Sequence, residues 1–200
     1  MKRLILASSS SRRQKILFQL GLEFEVIPSR LPEEHPGSSI GKSAPWKIVE
    51  KLALRKAREV SKGFSDGLVI GADTVVALTT ADKGKSKFEI IGKPATAKEA
   101  EEILMRLGGT SHEVYTGLAI VDAKTGRKAV GHEVSRVKMK KLTSREISRI
   151  SRMHLDKAGA YGVKEKGDVF VKLLKGSMDN VVGMPGKLLK ELLGKFGVRA

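Results

Sequence analysis

The chain has no cysteine. That excludes disulfide staples, thiolate nucleophiles and cysteine-held metals, and it suits a reducing compartment, so a cytoplasmic protein is expected. Aromatic residues make up only 4% of the sequence, too few for the stacking platforms on which single-strand binders lay successive bases. No apolar run is long enough to cross a bilayer. Leu4 to Ala7 is also too short for the apolar stretch of a signal peptide, with Arg12 and Arg13 close behind. The four histidines (His35, His112, His132, His154) lack the paired spacing of a zinc site. Acidic residues are scarce: 22 Asp and Glu face 38 Lys and Arg, a net charge of +16. Such a balance suits a polyanionic partner, either nucleic acid or a small phosphate-rich substrate. Much of the excess lies between Arg136 and Lys157, where it reads as a solvated basic helix face.

Two hundred residues at 40% hydrophobic content are enough to bury a core. No repeat or low-complexity linker divides them, so residues 1–200 are expected to form a single unit. Apolar periodicity predicts a strand over 3–7, a helix over 12–20, a strand over 23–27 and a loop through Pro28, Pro32 and Pro36. A helix follows from about Pro45 to Lys62, with Ser43 near its cap. Leu68 to Leu78 reads as a strand, followed by a polar excursion (Thr79 to Lys87) and a return strand to Ile91. Thr96 and Glu99 form a capping box for a helix that ends at Gly108-Gly109. Val114 to Val121 and Lys128 to Lys138 make a hairpin, and Thr143 to Glu146 opens another capped helix. A glycine-rich loop (Gly159 to Gly167), a strand (Val169 to Leu173) and a helix from about Gly186 to Phe196 complete an α/β chain with a mixed sheet.

Several residues sit where structure alone would not choose them. Ser8-Ser9-Ser10-Ser11-Arg12-Arg13 joins the first strand to a helix start. Free amides and the positive dipole end there favour anions, and Arg holds phosphate through a planar fork. The alternative is a solvated cap, with Ser10 or Ser11 as N-cap and Gln14 closing a box with Ser11. Asp73 lies inside the apolar run Leu68 to Leu78, where a carboxylate costs several kcal/mol, roughly, unless it is compensated. It serves catalysis or a metal, or else a bulge exposes it. Lys56 falls within the apolar stripe of Val49, Leu52, Ala53, Ala57 and Val60. It either snorkels or points a cation into a shared cleft. Lys93 follows in the turn Gly92-Lys93-Pro94. Gly41-Lys42-Ser43 and Gly84-Lys85-Ser86 mimic a phosphate-binding loop, but Pro36 and Thr79 stand where its first glycine belongs. Gly176-Ser177-Met178 lacks the closing glycine of a hydrolase elbow.

In order along the chain, these segments resemble the Maf family of nucleoside triphosphate pyrophosphatases. The matches are Leu6 to Arg13, Leu52 to Ala57, Gly71 to Thr74, Gly92 to Pro94, Ser111 to Gly117, Asp156 to Gly162 and Asn180 to Pro185. The resemblance implies a strongly twisted mixed sheet flanked by helices, with two lobes around a deep cleft, as in the inosine triphosphatase type. It implies cleavage of a nucleoside triphosphate to the monophosphate and pyrophosphate, a house-cleaning of the nucleotide pool, with magnesium or manganese and often a homodimer. Carried over by position, Asp73 and Glu33 would hold the metal and Asp73 activate water. Ser8, Ser10, Arg13, Lys56 and Lys93 would hold phosphates. Arg12 and Thr74 match the members that prefer dTTP and UTP, whereas Lys164 stands where those members carry Gln. Lysine only donates, so a broader base profile is expected. The rival reading is a non-catalytic nucleic-acid-binding regulator of cell division or septum formation.

Overall fold

The computed structural model describes residues 2–32, 44–82, 85–163 and 170–199. In chain order the elements are β1 (Leu4–Leu6), α1 (Ser11–Gln19), β2 (Glu25–Val26), α2 (Pro45–Ser61), β3 (Leu68–Asp82), β4 (Lys85–Ile91) and α3 (Ala97–Leu107). They continue with β5 (Ser111–Asp122), β6 (Lys128–Met139), α4 (Ser144–Ile150), β7 (Val171–Lys175), α5 (Met178–Val182) and α6 (Gly186–Gly194). The strands form one sheet in the order β2-β1-β3-β5-β6-β7, with β4 pairing β3 beyond that path. β1 runs parallel to β2 and β3, and every other pair is antiparallel. The expected α/β class with a mixed sheet is what forms.

β3 organises the molecule, because its two faces alternate residue by residue. On one face Leu68, Ile70 and Ala72 join a core with Leu6, Leu17, Leu118 and Leu189. Farther along that face, Val76 joins a second core with Leu104, Val137, Met139 and Ile150. Thr74 stands between the two, and Thr116 of β5 pairs with it in register. On the opposite face, Val69 packs with Ala53, Ala57 and Ala119 beneath α2. Backbone close to backbone makes this possible. A methyl on Gly71 would sit 2.2 Å from the Ala53 carbonyl oxygen, and one on Gly117 would sit 2.4 Å from that of Val49. Only glycine admits α2 so near the sheet.

The structure corrects several boundaries. Thr79 to Lys87 is no polar excursion, since β3 runs on to Asp82 and β4 starts at Lys85, with Leu78 paired to Glu89 and Thr79 to Phe88. β-branched threonines continue a strand readily, and the hairpin satisfies their backbone groups. α2 is capped by Ala44 with no side-chain bond, while Ser43 lies outside the described residues. The last strand is Val171–Lys175, running past the expected end at Leu173 through its pairing to β6, while the expected start at Val169 lies outside the described residues. α5 was not expected; Ser177 caps it by accepting from the Asn180 amide. The box at Thr143 forms with both of its bonds, whereas Thr96 accepts from the Glu99 amide but the Glu99 carboxylate accepts from the Ala95 amide instead of closing the box.

Gly71→Ala is expected to cost at least ~2 kcal/mol, because the helix must lift to admit the methyl. Chemical denaturation measures it against Gly194→Ala, where nothing lies within 4 Å of the added methyl and the change should be near neutral.

Candidate active site

A cleft of about 290 Å³ is lined from both faces of β3, by Thr74 and Val76 on one and by Asp73 and Val75 on the other. Its walls come from the serine turn, the middle of β3, the Gly92-Lys93 turn and the segment from Asp156 to Val163. At its floor the Lys56 ammonium donates to Asp73 Oδ1 at 2.6 Å. Both side chains are largely buried, 14% and 11% exposed. Asp73 stays in regular register opposite Gly117, so no bulge exposes it. Lys56 does not snorkel away to solvent either. Its position on the inward stripe of α2 brings its charge to the carboxylate in the apolar run from Leu68 to Leu78.

The serine turn is shaped by Arg13 rather than by a helix cap. Ser10 takes the N-cap position without a side-chain bond, and Gln14 donates to the Ser9 carbonyl at 3.3 Å, so no box with Ser11 forms. Ser8 is buried, and its Oγ accepts from the Ser10 amide at 3.3 Å and from Arg13 at 3.1 Å. Arg13 also donates to the carbonyls of Ala72 and Gly183, both at 3.0 Å, and to Thr74 Oγ1 at 3.3 Å. Its fork therefore ties α1 to β3 and to the end of α5. Thr74 Oγ1 lies 3.0 Å from Thr116 Oγ1, which donates to the Asn180 carbonyl at 2.9 Å.

Of the residues expected at the site, Ser8, Ser10, Arg12, Arg13, Lys56, Asp73, Thr74 and Lys93 all line the cleft. Glu33 and Lys164 lie outside the described residues. Two charged groups join them that the sequence reading left unassigned, Asp156 and Lys157. Both lie within the Asp156 to Gly162 match. Arg12 reaches Asp156 at 3.7 Å. The lining is strongly cationic, with Arg12, Arg13, Lys56, Lys93 and Lys157 against Asp73 and Asp156. Such a cleft favours an anion of several charges. Behind it, His112 Nε2 and the Tyr161 hydroxyl meet at 2.8 Å. Burial lowers the His112 pKa to about 4 and raises that of Tyr161. Among the described residues no group of three or more His, Asp or Glu is placed to hold a metal. Nor is any described helix long and apolar enough to cross a membrane.

The family model described as Maf-like protein matches residues 3–196. The chain belongs to the Maf-like family. It is 43% identical over 199 residues to a protein of Pelotomaculum thermopropionicum named dTTP/UTP pyrophosphatase, covering 98% of both chains. A protein of Desulforamulus reducens with the same name is 44% identical over 201 residues, covering 99% of this chain and 98% of the relative. In fold the chain is similar to the Ham1 protein of Staphylococcus aureus, with a TM-score of 0.51 at 15% identity over 98% of this chain and 100% of that one. That likeness matches the helix-flanked mixed sheet. The Maf-like motifs quoted from Leu6 to Gly162 converge on one cleft, although they are scattered along the sequence.

Because the folded chain keeps His112 neutral down to about pH 4, the unfolded chain binds the extra proton between there and its ordinary value near 6.5. Stability is then expected to fall as pH drops through that window, by up to about 3 kcal/mol from this group. His112→Gln should flatten the pH dependence of the denaturation midpoint between pH 6.5 and 4. An unchanged slope would assign the effect elsewhere.

Proposed function

We propose that this Maf-like cleft hydrolyses nucleoside triphosphates to the monophosphate and pyrophosphate, with dTTP and UTP the preferred substrates. The observation that carries the proposal is the buried Lys56–Asp73 pair at the floor of a cation-lined cleft. It stands in a chain more than two-fifths identical to proteins named for that activity. Water adds to the α phosphorus as the bond to the bridging oxygen breaks. Asp73 accepts the water proton, and pyrophosphate leaves. Lys56 fixes the carboxylate and balances its charge, while Lys93 and Arg12 offset charge gathering on the phosphates. Arg13, already spread over four acceptors, holds the serine turn in shape beside them.

A divalent cation fits this donor set. Magnesium keeps several waters and takes one or two carboxylates plus phosphate oxygens rather than a full protein cage. Asp73 supplies one carboxylate, and Glu33 is the second by resemblance. When bound, the ion would polarise the phosphate oxygens. The non-catalytic nucleic-acid-binding regulator is disfavoured by the same geometry, because a regulator has no need of a buried ion pair at a cleft floor. Cytoplasmic placement and a homodimer complete the proposal; light scattering after gel filtration reads the second.

Asp73→Asn should lower turnover at least about 100-fold and remove the response to magnesium or manganese, measured as pyrophosphate release. Near-normal turnover would sink the assignment. Lys56→Ala should cut turnover too, and an altered melting temperature with unaltered kinetics would return Lys56 to a packing role. Across a panel of triphosphates, kcat/KM should favour UTP and dTTP over ATP and GTP, and Lys164→Gln should narrow the profile. A purine preference would refute the base assignment.

A further inference from the structure

The segment between α4 and β7 carries a lysine that packing does not explain. The Lys157 side chain is only 9% exposed. It nonetheless lines the cleft. Its Nζ lies 2.7 Å from His154 Nδ1, and His154 is itself buried. An ammonium has only donors, so Nδ1 is the acceptor in this contact. The second partner is Asp156 Oδ1 at 3.3 Å, on a carboxylate that is 68% exposed and also faces Arg12. One solvated carboxylate thus stands between two cleft cations drawn from opposite sides, Arg12 on α1 and Lys157 beyond α4.

The backbone spends strain to hold this arrangement. Gly159 and Ala160 both adopt left-handed conformations, with φ of 75° and 59°. A non-glycine residue rarely adopts this conformation, and such residues gather at functional sites. The Gly159 amide donates to the Gly92 carbonyl at 3.0 Å, next to Lys93, and the Ala160 amide to the Lys157 carbonyl at 3.1 Å. A methyl on Gly159 would meet the Tyr161 ring at 2.7 Å. Lys157 and Lys93 are therefore set on one wall by a shared, strained turn.

We propose that Lys157 is a further phosphate-binding residue of the cleft and that Asp156 is its resting counter-ion, standing in for a substrate phosphate between Lys157 and Arg12 until the polyphosphate chain displaces it. The inference rests on the pyrophosphatase reading above. Charge supports it: a carboxylate carries one negative charge and two oxygens, whereas a phosphate offers more of both, and the two cations gain by the exchange. The resting pair is solvent-screened and weak, so displacement is inexpensive.

The test is calorimetric titration of α,β-methylene UTP, a triphosphate that cannot be cleaved at the relevant bond, into the full chain and its variants. Lys157→Met should weaken binding about 10-fold and raise KM more than it lowers kcat. Asp156→Asn should act in the opposite sense, tightening binding about 3-fold. Unchanged affinity in Lys157→Met with an intact melting transition would overturn the proposal. Should that variant fail to fold, Asp156→Asn, altered at an exposed carboxylate, decides alone: equal or weaker binding overturns it. Absence of binding by the unmodified protein would instead overturn the pyrophosphatase reading.

Discussion

The Lys56–Asp73 ion pair depends on how close α2 comes to the sheet, and much of the architecture serves that approach. Two charges this deeply buried forfeit their hydration, and their mutual attraction repays it only in good geometry. The geometry comes from Gly71 and Gly117, where an added methyl would meet the α2 backbone. Ala53 and Ala57 continue the logic from the helix side, since larger residues would keep the backbones apart. Small residues on both partners are thus a condition for the pair. The pair in turn is why a lysine is tolerated in an apolar stripe. Removing either charge strands the other, so packing and chemistry are coupled at this one contact.

On the other face of β3 the governing feature is an interruption. Apolar residues line the middle of β3 and β5 on this face, and Thr74 and Thr116, which pair across the ladder, interrupt them. Apolar packing stops there and resumes beyond, so two cores form on one continuous sheet, and Thr74 at the break lines the cleft together with Asp73 from the opposite face. The hydroxyls are not left unsatisfied. Thr116 donates to the Asn180 carbonyl, and Thr74 accepts from Arg13, so α5 and α1 are bonded to the seam itself. Arg13 explains why the helix start needs no serine cap: its guanidinium supplies the fixed point for the turn that a capping side chain would otherwise supply.

Local patterns were legible where the physics is local. Alternation finds the central strands, and the threonine caps of α3 and α4 form, the full threonine–glutamate box at α4 alone. Asp73 and Lys56 were found because each violates its own element's pattern, and a violation points to a partner without saying which. That they are partners of one another is a matter of register between α2 and β3, which no window of sequence contains. The same applies to the Thr79 to Lys87 stretch, whose polarity suggested a loop. Pairing with the opposing strand decided otherwise. Asp156 and Lys157 look like ordinary surface residues in sequence, and only the left-handed turn that follows them brings both to the cleft.

The large positive charge is better understood from its uses than from its sum. Part of it is local and structural. Lys140 pairs with Glu146, and the charged ends of Lys140 and Arg149 lie over the Phe170 ring at 5.0 and 5.6 Å. This accounts for some of the basic run between Arg136 and Lys157 without a nucleic-acid partner. A second part is concentrated at the cleft, where five cations face two carboxylates among the lining residues. Low-dielectric walls focus that field on the opening, so a polyphosphate is drawn to it from solution while the outer basic faces remain screened by salt. Charge spread over a surface would bind many anions weakly. Charge gathered around one buried ion pair selects for an anion that can be cleaved there.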